Sequence, residues 1–135
     1  MSRKKLFRRI LYLILFILII NFLANKFYWY SSIWYFDMLM HFLGGFWVGL
    51  AYFYLFSTKG KPFDFTQTTY TAIIAVLLVG LSWEIFEFLV DKTIAQNGFN
   101  FLDTTSDLLF DLAGGGTAVF YFFKRIMLSR ENKVE

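Results

Sequence analysis

Carboxylates and one imidazole recur in pairs along an otherwise apolar chain, and the members of each pair are three or four residues apart. The pairs are Asp37 with His41, Glu84 with Glu87, and Asp107 with Asp111. Such intervals keep two side chains on one face of an α-helix. Carboxylates with an imidazole suit Mg²⁺, Mn²⁺, Ca²⁺ or Zn²⁺, and they also act as general acids and bases. The spacing therefore predicts three helices that each present a polar stripe.

The segments that carry these pairs are apolar enough to lie in a membrane. The 135 residues are 58% hydrophobic and 23% aromatic, with a mean hydropathy of +0.54. A water-soluble core of this size cannot enclose so much apolar surface. Four apolar segments, at residues 6–26, 33–56, 69–90 and 105–127, approach the roughly 20 residues that a membrane-spanning helix needs. We predict an all-α fold, a polytopic membrane four-helix bundle that forms a single transmembrane domain over residues 1–135.

The placement of Lys and Arg predicts the orientation of this bundle. Basic residues concentrate around the start of the first segment, between the second and third, and around the end of the fourth. They are Arg3, Lys4, Lys5, Arg8, Arg9, Lys59, Lys61, Lys124, Arg125, Arg130 and Lys133. The positive-inside rule then puts the N and C termini in the cytoplasm of a multi-pass cell-membrane protein, which in a prokaryote means the plasma or inner membrane. No small-residue cleavage site follows the first segment, so we expect an uncleaved helix rather than a signal peptide.

This orientation brings the three polar pairs to one depth in the membrane. The second segment runs inward, the third returns, and the fourth starts outside, so all six side chains lie in the outer half. At about 1.5 Å per residue, each lies within roughly 15 Å of the outer end of its helix. No Lys or Arg lies in this layer, and a low-dielectric interior cannot hold five ionised carboxylates without compensation. Protons or a bound cation must therefore neutralise part of this charge.

We predict a site for a divalent metal ion in this acidic layer, and the sequence does not identify the metal. The predicted ligands are His41, Glu84, Asp107 and Asp111. Glu87 and Asp37 are the predicted catalytic residues, either as the general base or as hydrogen-bond partners of the ligating histidine.

Each of these residues also has a purely structural interpretation. Asp103 or Thr104 can cap the fourth helix, with Asp107 reaching back in a variant capping box. His41 can be a hydrogen-bonded core histidine, and the two glutamates of the third helix can clamp helices together. Gly45 and the small residues near it predict close helix contacts beside the polar pairs.

Three short motifs together resemble the VanZ-like and YjdF-type small membrane proteins. They read “FDMLMHFLGGF”, “SWEIFEF” and “DTTSDLLFDLAGG”, and the resemblance covers about residues 33–120. Proteins of this kind carry an Asp-x3-His element, then Glu-x2-Glu or Glu-x2-Gln, then Asp-x3-Asp or Asp-x3-Asn. The paired glutamates, together with Asp107 and Asp111, are closer to the YjdF-type branch. The resemblance implies a small integral membrane protein and no settled activity.

Three functions are compatible with this sequence. The first is a metal-dependent enzyme that acts on a lipid or lipid-linked envelope substrate. The second is a non-catalytic membrane scaffold or partner-binding bundle, and the third is a proton- or cation-coupled transporter. Membrane lipids are the expected partners, because the basic clusters flank apolar segments and suit anionic head groups better than nucleic acid. A second copy of the chain or another membrane protein stays open as a further partner.

Overall fold

Five helices follow one another along the part of the chain that the structure describes. This computed structural model describes residues 3–56, 64–94 and 98–131, with side chains up to Arg125. The helices are α1 (Arg3–Lys26), α2 (Trp29–Ser32), α3 (Phe36–Phe56), α4 (Phe65–Ile94) and α5 (Phe101–Glu131). These ranges contain no strand, so the all-α prediction is confirmed. Lys59, Lys61 and Lys133, which contribute to the predicted orientation, lie outside the described residues, as does the side chain of Arg130.

The four long helices correspond to the four predicted segments but extend beyond most of their limits. The start of α4 is capped by a polar residue, since Asp64 Oδ1 accepts a hydrogen bond from the backbone N–H of Gln67 at 3.1 Å. At the start of α5, Asn100 Oδ1 accepts a hydrogen bond from the backbone N–H of Asp103 at 3.4 Å. Asn100 therefore provides the cap that was expected from Asp103 or Thr104. Helix α5 begins earlier than predicted because this cap precedes Phe101.

A single helical turn, α2, connects α1 to α3. It follows Tyr28, which has a φ of 57°, a left-handed conformation uncommon for a residue other than glycine. The rings of Trp29 and Tyr30 pack against Phe36, with centroid separations of 5.6 Å and 4.9 Å. This turn therefore holds aromatic side chains over the end of α3 that carries Asp37.

Helix α3 is the centre of the bundle and contacts all four other helices, most extensively α5. Glycine makes the close contact with α5 possible. A Cβ atom at Gly45 would overlap the backbone carbonyl of Asp111, and one at Gly114 would overlap the carbonyl of Phe42. The close contact expected from the small residues is therefore confirmed.

The apolar core lies at the opposite end of the bundle from the acidic pairs. It is formed by Leu6, Ile10, Leu50, Phe53, Ala72, Ala118, Val119, Phe122 and Phe123. Phe53 and Phe122 stack with ring centroids 4.0 Å apart and planes within 7° of parallel. The bundle thus has one tightly packed apolar end and one polar end.

Three described helices, α1, α3 and α4, are long and apolar enough to cross a membrane. The fourth predicted span corresponds to α5, which is not among them and which contains Asp103, Asp107 and Asp111 in its first three turns. Each of those carboxylates lowers the hydropathy of the segment. The orientation of the termini and the single-domain assignment stay predictions.

Candidate functional site

The three polar pairs converge on His41. Every one of the five carboxyl groups has an oxygen within 4.0 Å of a ring nitrogen of His41. The first pair lies on α3, the second on α4 and the third on α5. We call this group the His41 cluster, and its members are Asp37, His41, Glu84, Glu87, Asp107 and Asp111. All six residues singled out from the sequence therefore meet at one place.

The two ring nitrogens of His41 have different surroundings. Nδ1 lies 3.3 Å from Asp111 Oδ2, within hydrogen-bond distance. Nε2 is surrounded by four carboxylate oxygens that are all beyond hydrogen-bond distance. Their distances from Nε2 are 3.7 Å for Glu84, 3.9 Å for Asp37, 3.9 Å for Asp107 and 4.0 Å for Glu87. One nitrogen therefore has a direct partner, whereas the other points into a ring of carboxylates.

The spacing of this ring is compatible with atoms that share a cation. Two ligands at about 2.1 Å from a metal in octahedral geometry lie roughly 3.0 Å apart when adjacent and about 4.2 Å apart when opposite. Two sets of three residues offer ligand atoms that all lie within 4.8 Å of one another. The sets are Asp37, His41 and Asp107, and His41, Glu84 and Glu87. Both share His41, so a cation beside Nε2 is within reach of carboxylates from all three helices.

The cluster is buried on one side and accessible on the other. Its buried members have exposed fractions of 6% for His41, 9% for Glu84, 3% for Asp107 and 6% for Asp111. The side chains of Asp37 and Glu87 are 36% and 41% exposed. These two carboxylates are therefore the most accessible members of the cluster.

The charge of the cluster is not balanced by its own residues. Within the described part of the chain, the ion pairs of its carboxylates all go to His41. A protonated imidazole supplies one positive charge against five carboxyl groups. Glu84 Oε1 is also buried without a hydrogen-bond partner among the described residues. A buried carboxylate oxygen without a partner carries a desolvation cost that a bound cation or proton would remove.

Glycines on two helices give Asp111 its position. Gly45 lets the backbone of α3 lie against the Asp111 carbonyl, as described above. A Cβ atom at Gly80 of α4 would lie 2.5 Å from Asp111 Oδ2. Because neither residue has a side chain, the carboxylate can lie between α3 and α4 and reach Nδ1 of His41. The role of Gly80 was not predicted from the sequence.

An elongated cavity of about 310 Å³ opens beside the cluster. One end is formed by Asp37, His41 and Glu87, together with Asp111. The remaining walls come from α1, α3 and α4 and are mostly apolar. They include Ile14, Ile17, Val48, Val76 and Val79. The cavity therefore joins a polar end with an apolar channel.

Two polar residues that line the cavity, Asn21 and Tyr30, were not predicted from the sequence. Tyr30 donates a hydrogen bond to Asn21 Oδ1 at 2.7 Å, and both side chains line the cavity. Partial burial, followed by the charges on Asp37 and Glu87, raises the pKa of Tyr30 to about 12. Its hydroxyl group therefore stays protonated and available as a donor at neutral pH. Asn21 could have been noticed, because it interrupts the apolar run of the first segment.

Comparison with known proteins places the chain among membrane proteins without an assigned activity. A family model described as “Predicted membrane protein (DUF2238)” matches residues 1–127. An uncharacterized protein of Thermotoga maritima is 33% identical over 92 residues, which cover 63% of this chain and 46% of that protein. The chain thus spans about half the length of this relative. No solved structure matches the chain. The YjdF-type part of the resemblance agrees with this family, and the VanZ-like part stays a prediction.

Proposed function

We propose that this chain, which belongs to the DUF2238 family of predicted membrane proteins, holds a divalent metal ion in the His41 cluster. The metal serves an enzyme reaction on the head group of a lipid or lipid-linked envelope precursor, in a multi-pass protein of the cell membrane. The observation that carries the proposal is the ring of four carboxylate oxygens around His41 Nε2. One of these four oxygens, the Oε1 of buried Glu84, has no hydrogen-bond partner among the described residues, which adds support.

The proposed ligands follow from which nitrogen each carboxylate faces. Nε2 of His41, together with Glu84 and Asp107, forms the buried part of the ligand set. Asp111 faces Nδ1 instead, as carboxylates commonly do when they orient a metal-bound histidine. In this proposal Asp111 therefore orients the imidazole, although the sequence had suggested that it binds the metal directly.

The two exposed carboxylates are the proposed catalytic groups. A metal at this position would polarise a carbonyl or phosphoryl oxygen, or lower the pKa of a bound water. Asp37 and Glu87 lie at the end of the cavity, where either can accept a proton from that water. One dication neutralises two of the five carboxyl charges, so the cluster stays negative unless three of its carboxyl groups are protonated. This residual charge favours a neutral or cationic head group over an anionic one.

Transport is less well supported by the packing. A path for an ion would have to continue from the His41 cluster to the other end of the bundle. That end is filled by the apolar core, in which Phe53 stacks on Phe122. A scaffold role remains the main rival, because the same cluster joins three helices.

The test is the metal content of the purified protein. Wild type, His41→Ala, Glu84→Gln and the control Asp91→Asn are purified in mild detergent and submitted to elemental analysis. Asp91 is an exposed acidic residue on the same helix as Glu84. We expect about one metal ion per chain in wild type and control and its loss in the other two variants. A folded wild type without metal after growth with each candidate ion would refute the proposal and leave the scaffold role.

A further inference from the structure

We propose that the cleft between α1 and α4 binds one hydrocarbon chain of a membrane lipid, with the lipid's head group at the His41 cluster. This inference rests on the proposed function for the role of the cluster. It adds where the lipid enters and which part of the lipid the protein binds. The cleft is the elongated cavity described above, defined here by Ile14, Ile17, Val48, Val76 and Val79.

The cleft opens sideways toward the bilayer. Its two long walls are α1 and α4, both of which are long and apolar enough to span a membrane. In the described residues no Cα atom of α1 lies within 8 Å of a Cα atom of α4. The floor is α3, where Gly44 leaves space in front of its backbone. Lipid beside the protein therefore faces a groove between two helices rather than a closed seam.

The length of the cleft matches one leaflet of a bilayer. Along α3 it extends from Asp37 to Val48, which is about 16 Å at a rise of 1.5 Å per residue. Half of the hydrocarbon thickness of a bilayer is roughly 15 Å. A chain that runs parallel to the helices thus reaches from the polar end of the cleft to about the middle of the membrane.

The volume of the cleft suits a hydrocarbon chain better than a helix from a second copy. A helix with side chains is about 10 Å across. The cavity of about 310 Å³ is distributed along the length of the cleft, and this volume is at the lower end of the range of roughly 300–1,000 Å³ for small-ligand sites. The polar end complements a head group, whereas the apolar walls complement a chain. A membrane lipid combines both in this order.

Trp47 provides a reporter inside the cleft. Its Nε1 donates a hydrogen bond to the Ile10 carbonyl at 3.1 Å, which holds the indole in place, and its ring lines the cavity. The other tryptophans are Trp29, Trp34 and Trp83. Replacing these three with Phe leaves Trp47 as the only source of indole fluorescence.

The experiment places this single-tryptophan protein in phosphatidylcholine vesicles and adds lysophosphatidylcholine brominated in the middle of its chain. Bromine quenches indole fluorescence on contact. We expect quenching that saturates as the probe fills the cleft. Val79→Phe, which fills the cleft, should abolish the saturable component. Leu78→Phe is the matched control, because Leu78 is exposed on the same helix but does not line the cavity.

Two outcomes would overturn the inference. One is quenching that rises linearly with the probe and is unchanged by Val79→Phe. The other is a fall in Trp47 fluorescence that depends on protein density and occurs without the probe, which would indicate a second copy in the cleft. The measurement is repeated in EDTA and with His41→Ala, where we expect saturation to persist because the chain contacts apolar walls. A folded wild type that binds no metal but shows saturable quenching would therefore refute the proposed function alone, and a wild type that binds metal but shows no saturable quenching would refute this inference alone.

Discussion

His41 is the residue through which α3, α4 and α5 share one polar site. Its Nδ1 has a direct partner in Asp111, whereas its Nε2 faces four carboxylates at longer distances. An imidazole held on one side by a carboxylate keeps its other nitrogen aimed in one direction. These different surroundings predict separable roles for the residues of the cluster, which single substitutions can test.

Asp111→Asn should weaken metal binding without abolishing it. The amide can still contact Nδ1, but it no longer stabilises the imidazole with a negative charge. Loss of such an orienting partner typically reduces metal affinity about 10- to 100-fold. Competition with a chelator of known affinity measures the change, with Glu84→Gln as the comparison that should lose binding. Equal loss in both variants would instead make Asp111 a direct ligand.

Glu84→Gln should change stability in opposite directions with and without metal. In EDTA the substitution removes one buried acidic group from a cluster of like charges, so the melting temperature should rise. With metal present, wild type should gain more stability than the variant, because only wild type binds the ion tightly. Thermal unfolding in detergent under both conditions measures this difference. A variant that melts below wild type in EDTA would favour a structural role, in which Glu84 holds helices together.

At the scale of the helices, glycine decides how closely α3 and α5 approach. Gly45 and Gly114 lie where the two backbones meet, whereas Gly116 has open space around the position of its missing side chain. The three residues are on the two central helices of the bundle. Helix propensity alone would favour alanine at each of them. The packing therefore predicts opposite effects of the same substitution.

Gly114→Ala should destabilise the bundle, and Gly116→Ala should not. The new methyl group at residue 114 overlaps the carbonyl of Phe42, and overpacking of this kind costs about 1–3 kcal/mol. At residue 116 the same change meets no atom and should stabilise the helix by roughly 0.5–1 kcal/mol. Unfolding of both variants and of wild type in the same detergent measures the two changes in the free energy of unfolding. Similar effects at both positions would contradict the close α3–α5 contact.

At the scale of the whole molecule, polarity is divided between the two ends of the bundle. The apolar core occupies one end, and the His41 cluster with its cavity occupies the other. Basic residues of α1, such as Lys4 and Arg8, lie at the end with the apolar core. The positive-inside rule predicts that this end faces the cytoplasm.

The chain contains no cysteine, so single cysteines report this orientation without background. Gly98→Cys, before α5, should react with a membrane-impermeant maleimide added to intact cells. Lys124→Cys, near the other end of α5, should react only after the membrane is permeabilised. Both residues are exposed, so a difference between them reflects sidedness. The reverse pattern would put the His41 cluster on the cytoplasmic side.

Much of the fold and the membership of the site could be predicted from local properties. Apolar runs of membrane-spanning length predict helices, and intervals of three or four residues put two side chains on one face. The alternation of helix direction then brings all three polar pairs to one depth. These predictions depend on composition and spacing alone. The structure bears out the helices and brings the six side chains together around His41, whereas their roles stay predictions. The metal, the reaction and the orientation stay predictions.

The tertiary structure alone decided how the helices are rotated and how closely they approach. Those two quantities direct Asp111 to Nδ1, make Gly80 necessary for its carboxylate, and leave a cleft between α1 and α4. They also fold Tyr30 back to Asn21, nine residues earlier in the chain. The physical reason is that side-chain spacing specifies a face of each helix but not its neighbour, which is selected by packing across the bundle.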